Sequence, residues 1–372
     1  MSYLIGLMSG TSMDGVDAVL VAFNDNGKPT LRGAHSLELP PPLLNDLHRL
    51  CSPGNNEIDR LGRADRALAR VFAEAVHNLL AKTGVEASAI AAIGSHGQTV
   101  RHMPEGHHAF TLQLGCPSTL ATLTGIDVVA DFRRKDIALG GQGAPLVPAF
   151  HQALFQTPAD RAIVNIGGIA NITWLPGSAA QAQGAQVLGY DTGPGNTLMD
   201  AWCRDHLGCN YDDNGAIAAR GQVNDALLSR LLSHAYFNQA PPKSTGRELF
   251  NSVWLQGHLH SLPAIKDEDV LATLLATTVI SIADCVSHHS NSAELFVCGG
   301  GAFNGELIKQ LGQRLPQCNV QTTAALDLPP QWVEASAFAW LAYRHLHGLT
   351  SSLPAVTGAS RAAVLGGLYP SA

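Results

Sequence analysis

Charged side chains are scarce in this sequence: Asp, Glu, Lys and Arg make up 14% of 372 residues, against roughly 25% in ordinary soluble domains. A chain so poor in charge has little material for a solvated, disordered tail, so nearly its whole length is expected to fold. No long basic run is present, and 23 Lys and Arg stand against 30 Asp and Glu, a formal net charge of −7. Such a surface repels a phosphate backbone, which argues against nucleic acid as a partner. The seven cysteines (Cys51, Cys116, Cys203, Cys209, Cys285, Cys298 and Cys318) are odd in number and scattered, with no C-x-x-C pair. Neither a disulfide framework nor a zinc ribbon is indicated, and reduced thiols in the cytoplasm are expected. No apolar run continues unbroken for about 18 residues, and the chain enters a strand pattern by Tyr3 without the basic segment and apolar core of a signal peptide. Neither export nor a membrane partner is expected. Sixteen histidines are present, but no H-E-x-x-H or other ligand spacing, which argues against a zinc hydrolase. The common nucleotide signatures are missing too. Gly27-Lys28 is followed by proline and lacks the upstream Walker glycine, and Asn304 stands where G-x-G-x-x-G requires glycine.

Apolar residues, at 46%, are plentiful enough for a large core, and the length suggests two domains. The sequence opens with YLIGLM from Tyr3, the turn-rich SGTSMDG and then VDAVLVAF, a β-hairpin pattern. About 160 residues later the pattern returns: RAIVNI from Arg161, Gly167-Gly168, then IANITWL to Leu175. The repeat predicts two α/β halves, residues 1–158 and 159–372, facing each other across a ligand cleft. Apolar spacing predicts helices over Glu57 to Lys82, Pro145 to Phe155, Thr197 to His206, Asn224 to His234, Val270 to His288 and Gly305 to Leu315. Short apolar runs at Ile90 to Ser95, Asp127 to Phe132 and Glu294 to Cys298 read as buried strands. The first half then runs strand, strand, helix, strand, strand, helix.

The segment SGTSMDGVD puts Gly10, Thr11, Ser12, Met13, Asp14, Gly15, Val16 and Asp17 at a hairpin tip. Read plainly it is a turn. Read functionally, its glycines let amides approach a phosphate, its hydroxyls donate, and Asp14 or Asp17 can hold a magnesium ion through water. In the second hairpin, Gly167, Gly168 and Asn171 can cradle the same polyphosphate. Gly299, Gly300, Gly301 and Asn304, between a strand and a helix, complete the layout of a nucleotide cleft. In LGYDTGPGN, Asp191 leaves an apolar segment just before a helix start, either as a capping aspartate or as a base that takes a proton from a hydroxyl or from water. His96, Gln98 and Thr99 of GSHGQTVRH offer hydrogen bonds to sugar hydroxyls. Arg133 and Arg134 offer a bidentate partner to a ligand carboxylate, or else form surface ion pairs. Glu334, in an otherwise apolar helix, sits on a wet face or is buried with a partner, and PKSTGRE is a cationic, hydroxyl-rich loop without an evident structural duty.

Read together, GLMSGTSMDGVD, SHGQTVRH, DFRRKD, GGQGAPLVPAFH, NIGGIANIT, DTGPGN, PKSTGRE, VCGGGAFN and LPAVTGA resemble those of the 1,6-anhydro-N-acetylmuramic acid kinases, from Gly6 to Ala359. The resemblance implies a duplicated actin-like, ribonuclease H-like ATPase fold, with two lobes of mixed sheet flanked by helices. It also implies an enzyme of peptidoglycan recycling, which uses ATP and Mg2+ to phosphorylate O6 of the amino sugar while water opens the 1,6-anhydro bridge. N-acetylmuramic acid 6-phosphate and ADP would be the products. Carried over by that resemblance, Asp191 is the base, residues 10–17 the nucleotide hairpin, and the protein a homodimer whose lobes open and close; His96, Gln98, Thr99, Arg133 and Glu334, read from the residues themselves, are the candidate substrate contacts. Leu114, Ser118, Leu139 and Phe303 depart from the residues expected in many relatives. The phosphate-binding segments alone also suit another sugar kinase or an ATP-gated binding protein; the acceptor loops favour the first reading.

Overall fold

In the computed structural model the two opening runs pair. β1 (Ser2–Met8) lies antiparallel to β2 (Gly15–Phe23), with Ser2 opposite Phe23 and Met8 opposite Asp17. The structure describes every residue except Thr11, Ser12, Asp14, Pro242 and Arg247, so the roles expected of Thr11, Ser12 and Asp14 lie outside the described residues. β3 (Pro29–Glu38) adds a third antiparallel strand, missed in the sequence because its side chains alternate between exposed and half-buried. Two helices follow, α1 (Pro41–Leu50) and α2 (Glu57–Thr83). On α2, Leu68, Phe72, Ala75 and Leu79 are fully buried, the stripe that the helical spacing predicts.

The chain continues through β4 (Ile90–Ser95), the separate hairpin of β5 (Gln98–Met103) and β6 (Phe110–Leu114), α3 (Pro117–Thr124), β7 (Val128–Ala130), α4 (Phe132–Ala138) and α5 (Val147–Phe155). The second opening gives β8 (Arg161–Ile166) and β9 (Ile169–Leu175), again antiparallel. Then come α6 (Ser178–Ala182), β10 (Leu188–Pro194), α7 (Thr197–Trp202), α8 (Asp225–Leu232), α9 (Ser252–Leu259), α10 (Asp267–His289), β11 (Glu294–Cys298), α11 (Gly305–Arg314) and β12 (Asn319–Thr322). After α7 the chain widens into a π-type turn over Cys203–Leu207. The last elements are α12 (Val333–Leu346), α13 (Pro354–Thr357) and β13 (Gly367–Tyr369).

Two sheets repeat one plan. One runs β13-β7-β4-β1-β2-β3 and the other β10-β9-β8-β11-β12. Each has a three-stranded antiparallel meander whose first strand, β1 or β8, pairs in parallel with the next strand, β4 or β11, and that strand with β7 or β12. Each is covered by its own apolar core. α10 is long and apolar enough to cross a bilayer, but most of it is inside the second core, with Leu271, Leu275, Ile282 and Val286 fully buried.

The chain divides into two compact units, Met1–Leu154 with Trp332–Ala372, and Phe155–Gln331. The expected second half, 159–372, is therefore not one unit, because its last stretch folds back on the first. The physical reason lies in α12. Its Ala337, Ala339, Leu341 and Ala342 are fully buried, and it packs on β1, β2 and β4. Gly6 on β1 and Gly94 on β4 permit that approach, since a β-carbon on either would collide with the carbonyl oxygen of Ala335 or of Phe338 in the helix.

Candidate active site

In the second unit, β10 pairs with β9 up to Asp191 opposite Asn171, then slips register before Gly193. A bulge of this kind re-aims a strand where a side chain must be presented. Beyond it the chain turns into α7. The first amides of that turn are taken up by the Gly167-Gly168 corner: Gly195 N and Thr197 N donate to Gly168 O at 2.9 and 3.1 Å, and Asn196 N to Gly167 O at 2.8 Å. The glycine corner expected to offer amides to a phosphate thus turns two carbonyls toward α7, and its Gly167 amide donates to Ile169 O at 3.2 Å. The Gly299–Gly301 turn lies against the same corner. A β-carbon on Gly299 would meet Asn165 Oδ1 and one on Gly301 the Ile166 side chain, while Asn196 Nδ2 is 3.6 Å from the β-carbon position of Gly300. Three sequence motifs from residues 165 to 301 therefore meet at one end of this sheet. Asn304 caps α11, its Oδ1 accepting from Leu307 N at 3.0 Å, which commits that oxygen to the helix.

The Asp191 carboxylate is held by a loop that is distant in sequence. Ser244 Oγ and Thr245 N both donate to Oδ2, each at 2.9 Å, and among the described residues no donor reaches Oδ1. The Asp191 backbone is fixed as well, its amide donating to Lys243 O at 3.2 Å and its carbonyl accepting from the Tyr236 hydroxyl at 2.7 Å. Burial raises its proton affinity above that of an ordinary carboxylate; the donors Thr245 and Ser244 oppose this, and the charge of Glu248 adds to it. A half-buried carboxylate that binds a proton more readily than usual, with one oxygen unclaimed among the described residues, is equipped to act as a general base. Sequence reading left PKSTGRE without a role because its contacts to Asp191 span 53 and 54 residues, and no local spacing signals them.

Within the first unit, the side chains of Met13 and Val16 are buried in the core, so this hairpin can meet a ligand there through its backbone. Asp17 accepts from Ser36 Oγ at 2.5 Å on the neighbouring strand, and burial raises its proton affinity. Ser9 Oγ lies 2.6 Å from Gln98 Oε1, a buried contact that ties the hairpin loop to the start of β5. Thr99 Oγ1 accepts from Gln113 Nε2 at 3.1 Å. His96 Nε2 accepts from Arg133 Nη2 at 2.8 Å and Nε at 3.2 Å. Burial, and then the Arg133 charge, hold this imidazole well below its ordinary value, so it is neutral.

Arg133 itself is half-buried. Burial lowers its pKa to about 10, against the pull of the Glu334 and Asp136 carboxylates, and its Nη1 donates to Gly143 O at 2.8 Å. The structure thus gathers buried His96 with half-buried Arg133 and Glu334 in one polar group and leaves Gln98 with Ser9. Asp136 supports that group, accepting from Gly143 N and from Thr357 Oγ1, each at 2.8 Å. Arg134 is the more open arginine: it lines a cavity of about 740 Å³ with Phe110, Leu112 and Gly141.

The family model described as anhydro-N-acetylmuramic acid kinase matches residues 2–371. A curated protein of that name from Shewanella oneidensis is 58% identical over 369 residues, 99% of this chain and 98% of the relative. Another from Shewanella amazonensis is 57% identical over 372 residues, covering 100% and 99%. Among solved structures, the (R)-2-hydroxyglutaryl-CoA dehydratase component A of Acidaminococcus fermentans aligns over 92% of this chain and 98% of its own, with a TM-score of 0.50 at 11% identity. At that identity the likeness is one of fold alone, the duplicated actin-like α/β ATPase fold.

Proposed function

Because the chain belongs to the anhydro-N-acetylmuramic acid kinase family, we propose that it is an ATP-dependent sugar kinase that opens the 1,6-anhydro bridge of anhydro-N-acetylmuramic acid and phosphorylates O6. The observation that carries the chemical step is the Asp191 carboxylate, with Oδ2 fixed by two donors and its proton affinity raised by burial. Asp191 takes a proton from water as the water oxygen bonds to the anomeric carbon. The bond from that carbon to O6 breaks, and O6 forms its new bond to the γ-phosphorus as ADP leaves. One carboxylate thereby serves both bond changes. The products are N-acetylmuramic acid 6-phosphate and ADP, which places the reaction in peptidoglycan recycling.

The remaining assignments belong to the same proposal. Residues 10–17, Gly167, Gly168, Asn171, the Gly299–Gly301 turn and Asn304 bind the nucleotide. His96, Gln98, Thr99, Arg133 and Glu334 bind or shape the sugar site, and the enzyme works in the cytoplasm as a homodimer whose two lobes, Met1–Leu154 with Trp332–Ala372 and Phe155–Gln331, open and close. Among the described residues no group of three His, Cys, Asp or Glu side chains gathers to hold a metal. Magnesium in phosphoryl transfer takes one or two carboxylates besides phosphates and water; Asp17 or Asp14 would hold it through water. When bound, magnesium neutralises charge developing on the phosphates.

The test is Asp191→Asn, an isosteric loss of the base. It is expected to keep ATP binding by calorimetry while turnover falls at least about a hundredfold, with solvent oxygen no longer entering the anomeric carbon. Product formation at the wild-type rate would remove Asp191 from the chemistry.

A further inference from the structure

The Lys243–Gly246 segment makes more contact with Asp191 than chain passage requires. Four hydrogen bonds fix this one residue: two to a single carboxylate oxygen, one from its amide to Lys243 O, and one from Tyr236 to its carbonyl. The segment is itself anchored, since Lys243 Nζ donates to Tyr236 O and Phe237 O, both at 3.3 Å, and stands 4.8 Å over the Tyr236 ring. Beside the carboxylate, the Thr245 hydroxyl is buried without a partner among the described residues, although a hydroxyl removed from water ordinarily finds one.

We propose that Ser244 and Thr245 are positioning residues for Asp191, holding Oδ2 so that the carboxylate cannot rotate and Oδ1 alone receives the proton from water. The proposal rests on the reading of Asp191 as the base. Fixing one oxygen with two donors removes the torsional freedom that would otherwise spread the acceptor over many orientations, a loss of alignment that costs rate more than binding. Among the described residues, the charged and titratable groups around the carboxylate are Glu248, Lys243 and Tyr236, with Tyr190 and Cys285 behind the tyrosine. Glu248 lies back over the loop, where a β-carbon on Gly246 would strike its carboxylate. The loop therefore carries two opposed influences on the base: donors that favour its charged form and a carboxylate that disfavours it.

The experiment is kcat and KM against pH, with ATP and the anhydro sugar, for the full-length Ser244→Ala, Ser244→Thr and Glu248→Gln variants, each checked for ATP binding. Ser244→Ala is expected to lower kcat about tenfold or more with KM for the sugar nearly unchanged, and to move the acid limb of the profile to higher pH. Ser244→Thr, which keeps the hydroxyl, restores both. Glu248→Gln moves the acid limb the opposite way, to lower pH. A merely structural role would move neither limb in a signed manner, so an unmoved acid limb in Ser244→Ala, or shifts of the same sign in Ser244→Ala and Glu248→Gln, overturns the proposal. Asp191→Asn separates the two levels of inference. If it is inactive while Ser244→Ala behaves as wild type, only the positioning role falls; if it is fully active, the base and its positioning fall together.

Discussion

Two imidazoles in the first unit are stored uncharged, and their protonation sets how that unit meets acid. His151 is buried and its pKa is pushed down to about 3 by loss of solvation, while His96 is held low by burial and by Arg133. Both folded values lie below the ordinary imidazole value of about 6.5. The unfolded chain therefore takes up protons that the folded chain refuses, and stability present above pH 6.5 is lost as the pH falls toward the folded values. For His151 the window runs from about 6.5 down to about 3. Replacing it with glutamine is expected to flatten the acid side of the stability curve there by up to about 1.4 kcal/mol per pH unit. Denaturant melts at pH 7, 6, 5 and 4 check this; an unchanged slope would mean that the histidine is protonated in the native fold.

At the scale of elements, the placement of α12 depends on two residues that have no side chain. Gly94→Ala would drive a methyl group into the backbone of α12 at Phe338, and backbone cannot rotate aside as a side chain can. The expected loss is about 3 kcal/mol or more, at the upper end of overpacking penalties, read as a fall in the melting temperature of the first unit. Because Glu334 and Phe338 ride on this helix, and Phe338 lies 4.7 Å from the His96 ring, a displaced α12 would also raise KM for the sugar if His96 and Glu334 contact it as proposed.

That dependence marks what the sequence can express. Strong local patterns translate directly: β4 and β11 fall on the expected residues, α2 and α10 within a turn of them, and the two hairpins pair as read. Elements with weak patterns do not. β3 is half-exposed along its length, and β5 buries the polar Gln98 while exposing Met103, so neither shows the alternation of apolar and polar residues that identifies a strand. The same divide runs through the candidate site. DTGPGN announces a carboxylate before a helix, but the donors that hold it come from more than fifty residues away, and hydrogen bonds of that range leave no periodic trace. Likewise, Gly6 and Gly94 read as ordinary strand glycines until the helix they admit is seen.

At the scale of the molecule, the chain leaves its first unit at Leu154, builds the second, and returns at Trp332. Residues 332–372 are then a required part of the first unit, since α12 covers β1, β2 and β4, and β13 extends the sheet antiparallel to β7. A chain ending at Gln331 would leave the face of that sheet which α12 covers in water, with Leu4, Val19 and Ala92, all fully buried in the intact protein, among the residues affected. The second unit, Phe155–Gln331, has its own five-stranded sheet and core and loses none of its elements. Limited proteolysis of the truncated chain is therefore expected to digest the first unit and leave a resistant fragment beginning near Phe155. Adding residues 332–372 as a separate polypeptide should restore resistance to the first unit, because the missing piece is a packing partner and not a linker. Survival of residues 1–154 in the truncated chain would show that α12 is an accessory cover, and the collision at Gly94 would then matter far less than the backbone contact implies.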